Sequence, residues 1–208
     1  MRLRPVFAAT FLVLFLAVLL LGAYANASFA PDPAAGARKA DATVPAPVRE
    51  GGPVIDMVGD QPRSYRMPAR TIALTFDDGP DPRWTPEVLH VLAKHQVPAT
   101  FFVVGAHVAQ YPDLARRAVR AGHELGVHTF THPDMAGLPA WRRSLEYSQT
   151  QLAIASATGG KTALLRMPYS SRADAIDDET WSLMREAGLS GYLNIASDVD
   201  SRDWERPG

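Results

Sequence analysis

Thr71-Ile72-Ala73-Leu74-Thr75-Phe76-Asp77-Asp78-Gly79-Pro80 is the stretch on which the fold turns. Its first six residues are apolar or β-branched and predict a strand, and Gly-Pro then takes the backbone sharply away. A strand therefore delivers two adjacent carboxylates to a turn. Downstream, short apolar runs predict further strands at Ala99 to Val104, Glu124 to Val127, Ala163 to Leu165 and Gly191 to Ala196. Amphipathic segments separate them. Thr85 caps the first helix, with Pro86 at its first position and Val88, Leu89 and Leu92 on one face. Pro112 opens a second, with Leu114, Ala115, Ala118 and Val119 inward and Gly122 as its stop. A third runs from about Pro139 to Ala157 on Trp141, Leu145 and Leu152. Asp177 caps a fourth, which carries Trp181, Met184 and Ala187. Five strands alternating with four helices predict parallel β/α units, in an open sheet or a barrel, with the chemistry beyond the carboxyl ends of the strands.

Upstream of Thr71 the pattern is different. Arg2 and Arg4 precede an uncharged run from Pro5 to Ala25, and about 20 such residues can cross the hydrocarbon layer as one helix. That length favours a transmembrane anchor, whereas Ala25-Asn26-Ala27 is a small-residue cleavage pattern that favours a removed signal peptide. In both cases the charge order places the rest of the chain outside the cytoplasm, at the cell membrane or secreted. Residues 1–27 are thus expected to be anchor or signal. Between Ser28 and Arg70 lie seven Pro and four Gly, a composition that predicts a flexible linker over 28–69; the alternative is a first strand near Val54 to Val58. The globular domain is expected over 70–208. With 21 Lys and Arg against 22 Asp and Glu, the chain has no basic field, which excludes nucleic acid as a natural partner. It has no cysteine, so His and carboxylate are the strong metal ligands available.

Asp77 and Asp78 form the first polar cluster. Like charges this close are expected to raise one pKa, useful where one group binds a cation and the other takes a proton; Asp-Gly-Pro is also ordinary turn chemistry. The second cluster is His128-Thr129-Phe130-Thr131-His132-Pro133. The i, i+4 spacing puts two imidazoles on one face of a helical turn, although Pro133 disfavours helical dihedrals at His132 and points to a loop or single turn. Two imidazoles and a strand-end carboxylate make an open three-ligand site. The same set describes the facial triad of non-haem iron oxygenases, against which the alternation of strands and helices argues.

Arg166-Met167-Pro168-Tyr169 and Asp200-Ser201-Arg202-Asp203-Trp204 complete the pattern. With Thr75-Phe76-Asp77-Asp78-Gly79-Pro80 and the His pair, in this order, they resemble the polysaccharide deacetylase family, the NodB homology domain of the family four carbohydrate esterases. The resemblance runs from about Thr71 to Trp204. It implies a distorted (β/α) barrel in which Asp78, His128 and His132 bind one divalent metal, usually zinc, and Asp77 is the general base that deprotonates the attacking water. It further implies that the Tyr169 N–H helps hold the oxyanion, Arg166 orients the base, Asp200 or Asp203 tunes a partner group, and Pro168 and Trp204 help form the substrate pocket. The implied reaction is removal of acetyl groups from N-acetylglucosamine units of an acetylated polysaccharide such as peptidoglycan, a chitin-like oligomer or exopolysaccharide. An acetylxylan-type O-deacetylase and a non-catalytic carbohydrate-binding remnant are the rival readings.

Two positions depart from the family pattern. Met167 stands where proline is usual, which loosens the backbone beside the oxyanion donor. The Leu-x-His segment that supplies the general acid has no counterpart before Gly208. The domain is therefore expected to be truncated before its last strands, to fold poorly and turn over slowly alone, and to belong to a longer protein, with a following glycosyltransferase domain as one arrangement. His90, His95 and His107 read as ordinary helix or loop residues, and His123 as structural.

Overall fold

A computed structural model describes residues 43–59, 61–169, 172 and 176–205. The expectation of an anchor or signal over 1–27, and most of that for the linker, falls outside the described residues. No helix among the described residues is long and apolar enough to cross a membrane.

Among the described residues, seven strands form one mixed sheet. β1 (Val54–Val58) and β2 (Gln61–Tyr65) make an antiparallel hairpin with Val54 opposite Tyr65. β3 (Thr75–Phe76), β4 (Thr100–Val103), β5 (Glu124–Val127), β6 (Leu164–Leu165) and β7 (Leu193–Ile195) pair in parallel in that sequence. β1 joins the far side of β7 antiparallel, giving the order β2-β1-β7-β6-β5-β4-β3. Each parallel step is bridged by a helix: α2 (Trp84–His95) after β3, α3 (Gly105–Gln110) and α4 (Pro112–Arg120) after β4, α5 (Ala140–Thr158) after β5, and α6 (Asp178–Leu189) after β6. A single turn, α1 (Ala46–Arg49), precedes the hairpin. The mixed α/β class and the five expected strands are present.

The spacer reading is corrected for the part of 28–69 that is described. The hairpin occupies it, and β1 buries Ile55 against the core. Proline and glycine did not prevent this because β2 is an edge strand, where Pro62 leaves no ladder bond unmade on its open side. The expected strand from Thr71 shrinks to Thr75–Phe76: β3 is the other edge, β4 pairs it only there, and Ile72 is 83 % exposed.

Helix faces follow from packing against the sheet. Leu89 and Leu92 of α2, Ala115 and Ala118 of α4, and Trp181, Met184 and Ala187 of α6 join Phe101, Val103, Leu125, Val127 and Leu165 in one core. The first helix begins two residues earlier than expected, because Asp81 Oδ1, not Thr85, accepts the Arg83 and Trp84 N–H groups, at 2.8 and 2.7 Å; Thr85 Oγ1 accepts from Asp81 N–H. Asp177 caps α6 as expected, accepting from Thr180 N–H. On α5 the expected inward face is wrong. Trp141 and Leu152 are exposed, and Glu146, Tyr147, Thr150, Ile154 and Ala157 are buried. Hydropathy alone cannot place a glutamate inward; its partners, described below, do.

Candidate metal and base site

Three loops meet beyond the carboxyl ends of β3, β5 and β6. At the end of β3, Asp77 and Asp78 diverge. Asp78 takes a left-handed φ of 68°, a conformation that aspartate tolerates better than most residues. Its carboxylate points to the histidines while Asp77 points to Arg166. The Gly79 carbonyl accepts from Val104 N–H, tying this turn to the end of β4.

The loop after β5 carries both imidazoles. It is not helical: Thr129 has φ 65° and His132 φ 57°. These two reversals, not an i, i+4 helical face, bring the rings to a centroid separation of 5.1 Å. His128 and His132 Nε2 lie 3.3 and 3.1 Å from Asp78 Oδ1, and one ligand atom from each of the three residues falls within 4.8 Å of the others. Two ligands on a tetrahedral ion with bonds of about 2.0–2.1 Å sit about 3.3 Å apart, so these spacings fit a single ion. The donor chemistry fits as well. His128 Nδ1 is 2.7 Å from the Arg166 carbonyl, which can only accept, so Nδ1 carries a proton and Nε2 is the atom left to face an ion.

His107 also supports the site. Its Nδ1 lies 2.7 Å from the Asp78 carbonyl, anchoring the left-handed residue from α3. No spacing along the chain marks this contact, because 29 positions separate the partners and the β3–β4 pairing brings them together. The expectation that paired carboxylates push one pKa up fails at Asp78. The hydrogen bond from His128 is the main influence holding its carboxyl below the usual 3.8, against the opposing effect of burial, with the charges of His128, His132 and His107 adding to it. An acceptor facing two ring nitrogens requires a proton on Nε2 of at least one ring. His128 Nδ1 is already protonated, so an ion that takes the place of an Nε2 proton on that ring must expel it, and uptake of a divalent ion is expected to release protons. Calorimetric titration in two buffers of different ionisation heat checks this, and equal heats in both would contradict it.

Asp77 is held by a residue that follows β6, an interior strand of the same sheet. Arg166, 4 % exposed at the end of β6, donates from Nη1 to Asp77 Oδ1 and to Thr75 Oγ1, both at 2.8 Å. Its Nε and Nη2 donate to the Ile195 and Ala196 carbonyls of the β7 segment at 3.0 and 3.3 Å. The guanidinium also lies 4.3 Å over the Phe102 ring. A contact between Arg166 and Asp77 is thus present.

Tyr169, with φ 62° and 76 % exposed, rests edge-on against the His132 ring at 5.0 Å. Pro168 is buried beside it, and Met167, expected to loosen the segment, is buried in the core. The last cluster is not brought to the site among the described residues. Asp200 accepts from Arg202 N–H and Asp203 from Ser201 Oγ, both local bonds, and Trp204 is 70 % exposed in a 3-10 turn over Asp203–Glu205. The tuning role expected of Asp200 or Asp203 and the wall role of Trp204 have no contact here to carry them. His123 is structural as expected: it is buried, and Nδ1 accepts from Ala99 N–H.

Comparison with known proteins agrees with this geometry. The family model described as polysaccharide deacetylase matches residues 63–192. A chitooligosaccharide deacetylase of Sinorhizobium fredii is 42 % identical over 157 residues, 74 % of this chain and 68 % of the relative. The peptidoglycan-N-acetylglucosamine deacetylase PgdA of Listeria monocytogenes is 35 % identical over 151 residues, 69 % of this chain and 30 % of the relative. Among solved structures, a family 4 carbohydrate esterase from Streptomyces lividans in complex with acetate superposes with a TM-score of 0.57 at 36 % identity, covering 66 % of this chain and 67 % of that one. The chain spans about three fifths to two thirds of the length of the chitooligosaccharide deacetylases it matches. On the family match and the relatives alike, this chain belongs to the polysaccharide deacetylase family.

Proposed function

We propose that this chain carries the hydrolytic centre of an enzyme that removes acetyl groups from N-acetylglucosamine units of a cell-wall or extracellular polysaccharide. The observation that carries the reading is the grouping of Asp78, His128 and His132 around one point, with Asp77 fixed beside them by Arg166. Relatives that act on chitooligosaccharides and on peptidoglycan support the substrate class.

Asp78, His128 and His132 would hold one divalent ion, zinc being the ion that best suits a nitrogen-rich, three-ligand open site. Bound there, it would supply acidity to a water and polarise the acetamide carbonyl. Asp77, oriented through Oδ1 by Arg166, accepts the proton of the attacking water on its other oxygen. The main-chain N–H of Tyr169 donates to the carbonyl oxygen as it gains negative charge. The exposed Tyr169 ring offers a face to a sugar. In this reading the sheet belongs to a distorted (β/α) barrel, and the order of charge and apolar residues at the amino terminus puts the domain outside the cytoplasm.

The test is acetate release from chitotetraose, with acetylated xylan as the parallel substrate. Release from chitotetraose is expected to stop on chelation and return with added zinc. Release from xylan alone would move the reading to O-deacetylation, and none from either substrate with zinc restored would defeat it.

A further inference from the structure

Glu146 takes no part in the ion site, yet it is the most enclosed carboxylate in the buried set, 1 % exposed on the inward face of α5. A charged group in that position persists only where its oxygens are fully engaged, and here three of the four contacts come from one loop. Oε2 accepts from the Phe130 and Thr131 N–H groups at 2.8 and 2.7 Å. Oε1 accepts from Thr131 Oγ1 at 2.8 Å and pairs with Arg142 Nη2 at 2.9 Å. Phe130 and Thr131 lie between the two imidazoles.

The opposite side of that loop is held as well. Gly105 and Ala106 N–H, at the start of α3, donate to the Thr129 and Phe130 carbonyls at 2.9 and 3.0 Å. Gly105 cannot carry a side chain there: a Cβ would come within 2.4 Å of the Phe130 ring and 2.7 Å of Thr150 Oγ1. Within the loop, His132 N–H donates to Thr129 Oγ1 at 3.1 Å. Donors thus go to Glu146 and acceptors to α3, and between them the left-handed conformations of Thr129 and His132 are enforced. Threonine, being β-branched, rarely adopts such a conformation without outside support.

We propose that Glu146 is a positioning residue for the ion site: by gripping the Phe130 and Thr131 amides it holds His128 and His132 at the separation where both Nε2 atoms meet Asp78 around one ion. The proposal rests on the ion-site reading. It assigns Glu146 the task that outer carboxylates perform for metal-binding histidines elsewhere, but applied through the backbone of the loop instead of through a ring nitrogen.

The test uses the full chain, stripped with chelator, titrated with Zn²⁺ by calorimetry and with Co²⁺ by visible absorption, at a temperature where the circular dichroism of the ion-free variants matches that of the parent. Glu146→Gln keeps the volume but puts an amide NH2 among groups that need acceptors. Its expected effect is a loss of about 10- to 100-fold in Zn²⁺ affinity and an altered Co²⁺ band, with the ion-free fold intact. Thr131→Val removes one of the four contacts and is expected to weaken affinity in the same direction by less. A merely structural glutamate would leave both readouts alone. Parent-like affinity and spectrum in a folded Glu146→Gln, beside a defective Asp78→Asn, overturn the proposal while sparing the ion site. Should Glu146→Gln not fold, parent-like binding by Thr131→Val overturns it by the same standard. If the unsubstituted chain takes up neither ion, the site reading and this proposal fall together.

Discussion

Asp77→Asn is expected to lower acetate release from chitotetraose by about 10²- to 10⁴-fold, the usual range for removing a general base, while leaving zinc affinity within a few-fold of the parent. The split follows from geometry. Asp77 is outside the set of atoms that converge on one point, which consists of Asp78, His128 and His132. Its Oδ1 faces Arg166 at 2.8 Å. Asparagine can keep that hydrogen bond through its carbonyl oxygen, so the turn and the arginine stay in place, but its amide nitrogen cannot take a proton from water. Asp78→Asn should give the converse, losing zinc first and activity as a consequence. Measured together, acetate release and calorimetric affinity separate the two adjacent carboxylates. Equal loss of zinc by both variants would mean that Asp77 is a ligand and not a base.

The two carboxylates were legible because a strand that ends in Asp-Asp-Gly-Pro has few ways to continue, and the imidazole pair because two histidines four residues apart directly follow a strand. The position of Arg166 was legible only through likeness to a family. Its four acceptors lie on β3, on Asp77 and on two successive residues at the end of β7, a convergence that no spacing along the chain encodes. His107 and Glu146 were missed for a related reason. Each acts on the backbone of a distant loop, and a glutamate among apolar positions of a helix reads as its solvent side. The α5 face was misjudged on that ground: Trp141 and Leu152 are apolar but exposed, whereas Glu146 is charged but buried. Of the hairpin, β1 matches the alternative strand near Val54 to Val58, whereas β2 was hidden by composition, since prolines and glycines typical of a linker are also tolerated at a sheet edge. Asp200, Asp203 and Trp204 fit a motif by residue type and order, but the turn that holds them satisfies its own polar groups locally.

Arg166→Met is expected to destabilise the folded chain by about 3–5 kcal/mol, the range seen when one member of a buried pair is removed. Methionine fills much of the arginine stem and keeps contact with Phe102, so lost packing contributes little; what remains is unpaired polarity. The Ile195 and Ala196 carbonyls lose their donors, and Asp77, with its side chain about one third exposed, loses the positive charge that holds it. For a chain of this size the shift corresponds to a fall of roughly 6–20 °C in Tm. Lysine should rescue little, because a single ammonium cannot serve a planar set of acceptors on three segments. Asp77→Asn combined with Arg166→Met should cost less than the sum of the two single changes, since removing the carboxylate also removes the charge that the arginine leaves stranded. Urea unfolding of the four proteins supplies the cycle. A change below about 1 kcal/mol for Arg166→Met would show that the guanidinium does not join the β3 turn to β7, and the fixed orientation of Asp77 would then need another source.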